Sequence, residues 1–318
     1  MIVNINGKLF APNQISDQAK VGVFDRGYMY GDSLYEVART YEGHLFALDE
    51  HLTRLEESAK LCRMVLTQPL SQYRQEMTAA VDAFRRLPGC AQIEAYCRII
   101  VSRGIGKIGF GLNCVTSPSQ YVIIVQPLDP PTAAQYEKGF RYQVVKRLRN
   151  SPKALDPAMK SGNYLNSLLA YLEAAAEDFD DALMCNADGH MTEGTTFNVF
   201  YVKRGIVCTS TLDIGILDGI TRRMTIEVAG KLGIPVRQVR FPKERLYEAD
   251  EVFMTSTIKE VFPVSKVDGH VIAGGKPGPI TRKLTDAFRK EVAQWLATQK
   301  DATPSITSRP TARLAKGA

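Results

Sequence analysis

The chain predicts an α+β fold of two domains. Three observations carry that expectation. Strand-like and helix-like stretches follow one another without strict alternation. A proline cluster, Pro127, Pro130 and Pro131, interrupts them. The 318 residues, 45% of them hydrophobic, suit one large or two ordinary cores. The expected division is a small N-terminal domain over 1–126, a connection over 127–133, a larger domain over 134–298 and a disordered tail over 299–318.

Ile2–Ile5 and Lys8–Phe10 read as strands, followed by the glycine-punctuated segment 24–32. Leu34–Tyr41 and His44–Phe46 flank Glu42-Gly43, a two-residue loop suited to a hairpin. Asp49 is expected to cap a helix carrying Leu52, Leu55, Ala59 and Cys62 on one face. A second helix is expected from Ser71 to Leu87, stopped by Pro88-Gly89. Ile93–Ser102 and Tyr121–Val125 are strong strand signals. Beyond the prolines come a strand at Tyr142–Lys146 and a helix at Tyr164–Glu177. Short strands are expected at Ala182–Cys185, Asn198–Val202, Val207–Thr209, Val252–Met254 and Phe262–Val267. Helices are expected at Arg222–Leu232 and Pro279–Ala297, and the remainder is Thr/Ser/Pro/Ala/Arg-rich and aperiodic.

Composition excludes several functions. Half of the net charge of +6 lies in the last twenty residues, and no basic stripe interleaves with aromatics, so no nucleic-acid partner is expected. The densest apolar run, Tyr121 to Val125, is far shorter than a membrane span, and no membrane partner is expected. The first residues lack a basic-then-apolar leader, and a cytoplasmic location is expected. Six cysteines without a C-x-x-C pair and four scattered histidines signal no metal site. Gly104-Ile-Gly-Lys-Ile-Gly109 matches a dinucleotide fingerprint, but neither a following helix nor a βαβ unit accompanies it, so it reads as a loop between strands.

The informative constellation lies between residues 160 and 260. Lys160 stands before a helix among small residues, Glu193 at the entry to an apolar strand, and Gly219-Ile220-Thr221 at a helix start. Thr255-Ser-Thr257 follows a strand and adds donors. Singly, each has a plain reading: a solvated charge, a turn carboxylate, a hydrated helix end, a polar turn. Together they supply a phosphate cup, a lysine able to form a Schiff base and an acid able to hold a ring nitrogen protonated. Pyridoxal 5'-phosphate requires that set.

The sequence resembles the fold-type IV, or class IV, pyridoxal-phosphate aminotransferases, among them branched-chain and D-amino-acid aminotransferases and aminodeoxychorismate lyases. The resemblance rests on Glu193, Thr195, Asn198-Val-Phe200, Val207-x-Thr209 and Leu217-x-Gly-Ile-x-Arg222. Gly31 to Arg39, Leu48 to Leu55, Lys160 to Asn166 and Ala249 to Thr257 extend it across roughly residues 1–297. It implies a small α/β domain and a larger, pseudo-barrel-like domain with the cofactor between them. It implies that Lys160 binds the cofactor covalently, in preference to Lys153, and that Glu193 pairs with the pyridine nitrogen. Arg54, Ile220, Thr221 and Thr257 would hold the phosphate, Tyr164 the phenolic oxygen, and Leu217 would pack on the ring.

For substrate, Tyr96-Cys-Arg98 resembles the branched-chain enzymes, in which the tyrosine and the turn amides at Thr257 and Ile258 receive the carboxylate. Arg98 would then accept an acidic side chain such as that of glutamate. Tyr35-Glu-Val resembles instead the D-amino-acid enzymes, making Tyr35 a substrate residue, although their Arg-x-His pair is absent, with Lys107-Ile-Gly109 in that stretch. The reading favoured is transamination of branched-chain L-amino acids with 2-oxoglutarate. D-amino-acid transamination and pyruvate elimination from aminodeoxychorismate are the alternatives. The resemblance also implies a homodimer whose loop at 104–113 reaches the neighbour's site, with small amino-acid and 2-oxo-acid substrates as the other partners.

Overall fold

The computed structural model describes residues 1–302. A six-stranded antiparallel sheet runs Lys8–Phe10, Ile2–Ile5, Gln120–Pro127, Ala95–Ser102, Ser33–Tyr41, His44–Leu45. Strand Ala95–Ser102 shows why it has two different faces. Ala95, Cys97, Ile99 and Val101 are buried, whereas Tyr96, Arg98 and Ile100 alternate with them and are half-buried. Helices Leu48–Leu61 and Leu70–Arg85 cover the apolar face with Leu52, Leu55, Tyr73, Met77 and Phe84. The expected cap at Asp49 is corrected. Ala47, with φ at +51°, precedes the helix, and Asp49 and Glu50 lie in its first turn, facing the positive end of the helix dipole.

The second sheet has nine strands. Its order is Val236–Val239, Ile206–Ser210, Asn198–Lys203, Glu251–Ser256, Glu260–Val267, Phe140–Val144, Asp181–Cys185, Met191–Gly194, with His270–Val271 paired to Glu260–Val267. Ser210 Oγ donates to Met191 O at 2.7 Å, so strands from opposite ends of this order meet and the sheet curls into a partial barrel. One face packs Tyr142 against Phe197 and surrounds them with Tyr201, Phe241 and Met254. The other packs Phe200 and Phe253 beneath helices Ile220–Lys231 and Pro279–Ala302.

Several contacts join the two halves, among them the following. Phe46, just after the first sheet's hairpin, meets Phe288 and Trp295 of the last helix edge-on. Strand Ser33–Tyr41 also pairs with the segment bearing Lys160: Tyr35 N donates to Lys160 O at 3.0 Å and Gly162 N to Ser33 O at 2.7 Å. Gly162 is required there, because a Cβ at that position would collide with Ser33 Oγ.

Several boundaries differ from expectation. The last helix continues to Ala302 rather than stopping near 297, and the rest of the expected tail lies outside the described residues. Strand Gln120–Pro127 takes in the first proline, and a capping box at Thr132 and Gln135 starts helix Ala133–Lys138 at the last residue of the expected connection. Among the described residues no helix is long and apolar enough to cross a membrane.

Candidate active site

Tyr35, Arg54, Lys160, Tyr164, Glu193, Leu217, Ile220, Thr221 and Thr257 line one cleft between the two sheets. These residues span more than two hundred positions of sequence, and the pairing of strand Ser33–Tyr41 with the Lys160 segment is what sets Tyr35 beside Lys160.

Lys160 Nζ donates to Tyr35 Oη at 2.7 Å and lies 4.2 Å from that ring's centre. Tyr164 Oη donates to the same Tyr35 oxygen. Burial, and then the Arg54 charge, lower the Lys160 pKa, which favours the free amine a nucleophile needs. Burial pushes the Tyr35 phenol up to about 12, so it stays protonated.

Glu193 opens onto the cleft from strand Met191–Gly194. Arg149 donates to its Oε1 through Nε at 3.1 Å and Nη2 at 2.8 Å. Asn198 Nδ2 at 3.1 Å and Leu217 N at 3.0 Å donate to Oε2. Burial nevertheless raises its pKa, against the pull of Arg149. Asn198 Nδ2 also reaches Leu217 O at 2.9 Å, and Gly219 lets the backbone pass it, since a Cβ there would strike Asn198 Oδ1.

Helix Ile220–Lys231, with Gly219 as its N-cap, begins two residues earlier than expected, which places Ile220 and Thr221 in its first turn. Amides of a first turn have no intrahelical acceptor and face the positive end of the dipole. Arg54 approaches the same end, its Nη1 donating to Asp218 O at 3.0 Å. Its other side is held by Glu36, through Nε at 2.7 Å and Nη2 at 2.9 Å, and His51 Nδ1 lies 2.7 Å from the same carboxylate. Burial alone would raise the Glu36 pKa, but the Arg54 charge overrides it and holds the carboxyl well below its usual range. Burial lowers the His51 pKa and favours its neutral form.

Three expected substrate residues do not line this cleft. Arg98 stands behind it, its guanidinium 4.5 Å from the Tyr35 ring centre and 5.7 Å from that of Tyr164. Tyr96 lies on the same strand face and pairs in register with Arg39, farther from Lys160. Ile258 follows Thr257 in the turn, but its carbonyl accepts from Arg39 Nη1 at 3.1 Å.

The expectations assigned no role to Glu36, His51, Arg149 or Asn198. A signal for the first two was present: Glu36 alternates with Leu34 and Ala38 on the core face, and a buried carboxylate needs partners. His51 and Arg54, three apart on one helix, share the face that supplies them. Nothing in the basic stretch around Arg149 distinguishes it from a surface charge.

Residues 33–267 match the family described as amino-transferase class IV. The chain is a class IV aminotransferase. A branched-chain-amino-acid aminotransferase of Escherichia coli (strain K12) is 35% identical over 279 residues, 86% of this chain and 88% of its own. A crystal structure of a branched-chain aminotransferase from the thermophilic archaeon Thermoproteus uzoniensis, with norvaline, is 32% identical with a TM-score of 0.79, covering 92% of this chain and 95% of that one. A crystal structure of the T.th. branched-chain amino acid aminotransferase, complexed with N-(5'-phosphopyridoxyl)-L-glutamate, is 29% identical with a TM-score of 0.81, covering 92% of this chain and 94% of that one. In this class IV aminotransferase the cleft has the donors an anionic, nitrogen-containing ring compound needs. Among the described residues Thr255 Oγ1, buried on its wall, has no hydrogen-bond partner, and Ile220 and Thr221 of the helix's first turn line the same cleft with Arg54.

Proposed function

We propose that this enzyme transfers the amino group of branched-chain L-amino acids to 2-oxoglutarate with pyridoxal 5'-phosphate, giving branched 2-oxo acids and L-glutamate. One observation carries the reading: Lys160 Nζ, the Glu193 carboxylate and the start of helix Ile220–Lys231 converge on a single cleft. The family and its branched-chain relatives supply the substrate class.

When bound, the cofactor supplies an aldehyde that an amine can capture and a ring that delocalises the electron pair left at the substrate's Cα. Arg54, the amides of Ile220 and Thr221, and Thr257 hold its phosphate. Glu193, oriented by Arg149 and Asn198, holds the proton on the pyridine nitrogen. Tyr164 would donate to the phenolic oxygen, turning its hydroxyl from Tyr35, and Leu217 would pack on the ring. Lys160 Nζ would hold the aldehyde carbon, and as a free amine it would take the proton from the substrate's Cα and deliver it to the cofactor's aldehyde-derived carbon, the shift that transamination requires. Tyr35 fixes the direction of that amine. The turn amides at Thr257 and Ile258, with Tyr96, would receive the substrate carboxylate where substrate extends past the cleft lining toward Arg98, which would take the side-chain carboxylate of glutamate.

The same reading divides the chain into a small domain over 1–126, a connection over 127–133 and a cofactor-binding domain over 134–298. It includes a cytoplasmic homodimer, a partner supported by exposed Ile108, Phe110 and Leu112 in the glycine-rich loop. L-leucine, L-isoleucine and L-valine are each expected to yield glutamate from 2-oxoglutarate with the purified holoenzyme. No glutamate from any of them, with turnover of D-alanine or acceptor-free pyruvate release from aminodeoxychorismate instead, would overturn it.

A further inference from the structure

Beside the cleft, one carboxylate gathers side chains from two other elements. Glu260 follows the turn 257–259, with its φ at +58°, a conformation that non-glycine residues adopt only when their surroundings hold them there. Its Oε1 accepts from Tyr41 Oη at 2.7 Å and from Arg39 Nη1 at 3.3 Å, and its Oε2 from Arg289 Nε at 2.9 Å. Arg39 Nη1 also donates to Ile258 O at 3.1 Å, and the guanidinium lies 4.2 Å over the Tyr41 ring. Arg39 and Tyr41 belong to the first sheet, the turn to the second, and Arg289 to the last helix.

The turn residues Thr257, Ile258 and Lys259 are only half-buried, so packing alone holds them weakly. Charge-assisted bonds from a neighbouring rigid strand supply the missing constraint. That strand also reaches Lys160: Tyr35 lies four residues before Arg39, on the same face. Strand Ser33–Tyr41 therefore sets the separation between the lysine and the turn.

The geometry points to Arg39, Tyr41 and Glu260 as positioning residues that hold the turn's amides for the substrate carboxylate and so set how strongly the enzyme prefers carboxylate-bearing ligands. This rests on the carboxylate role proposed above for the amides of Thr257 and Ile258. None of the three need touch substrate, so their signature is a selective loss.

The test titrates the holoenzyme with 4-methylvalerate, a carboxylate without an amine, and with 3-methylbutylamine, an amine without a carboxylate, reading the cofactor absorbance. Arg39→Lys and Glu260→Gln are expected to weaken the acid about tenfold, the scale of one charged hydrogen bond. Tyr41→Phe, which removes one hydroxyl and keeps the ring, is the variant that leaves the fold least disturbed, and about a threefold loss is expected. Amine binding should change less than about twofold throughout. Acid and amine weakening together, or acid binding unchanged, would overturn the positioning role. If the wild-type enzyme itself binds no acid, the carboxylate role of the turn falls first and the positioning role with it.

Discussion

Glu36 spends both carboxylate oxygens on Arg54 and shares one with His51, entirely out of solvent. Replacing it by glutamine keeps the shape but leaves the guanidinium buried without its counter-charge. Glu36→Gln is expected to cost about 3–5 kcal/mol of stability, measured by urea unfolding of the apoprotein. A loss under about 1 kcal/mol would mean that solvent reaches the pair. Lys160 gives the pH-dependent expectation. Only its free amine captures an aldehyde, and burial and Arg54 lower its pKa. Borohydride-trapped uptake of pyridoxal phosphate should therefore hold as pH falls below the ordinary lysine value of about 10.4 and decline only at the lowered one. Uptake declining already at the ordinary value would contradict the burial, and Lys160→Ala should trap none.

At the scale of elements, the cleft depends on two places where backbones pass too closely for a side chain. Gly162→Ala would press a methyl group onto Ser33 Oγ and separate the lysine segment from strand Ser33–Tyr41. The expected cost is about 1–3 kcal/mol, with Ser33→Ala in the same chain recovering most of it. Equal losses in the single and double variants would show that the contact does not carry the pairing. The sequence showed Lys160 and Tyr35 as parts of separate motifs. It did not show that strand Ser33–Tyr41 would take the Lys160 segment as a neighbour, because pairing across 125 positions has no local periodicity. Gly219-Ile220-Thr221 was legible as a helix start, but the sequence did not show that Asn198 would lie against Gly219, a contact between separate elements.

For the whole molecule, the cofactor would bridge both sheets, so binding should stabilise them together. At a hundredfold excess over its Kd, pyridoxal phosphate is expected to add about 2.7 kcal/mol. Trp295, the single tryptophan, packs 4.9 Å from Phe46 across the junction and reports its opening. Its fluorescence and the far-ultraviolet circular dichroism should change at one midpoint, and the cofactor should raise both equally. A fluorescence change that precedes the dichroism change and ignores cofactor would show a junction uncoupled from the site.

The sequence by itself determined the mixed fold class, most helix and strand positions, and the motif residues Lys160, Glu193 and Gly219 to Thr221, because periodicity, turn residues and motif spacing are local properties. The tertiary structure alone decided the rest. It placed Arg149 on Glu193, set Glu36 and His51 behind Arg54, turned the Ile258 carbonyl toward Arg39, and left Tyr96 and Arg98 off the cleft wall. A buried charge is stable only beside its partner, and which partner arrives is settled by how the two sheets pack.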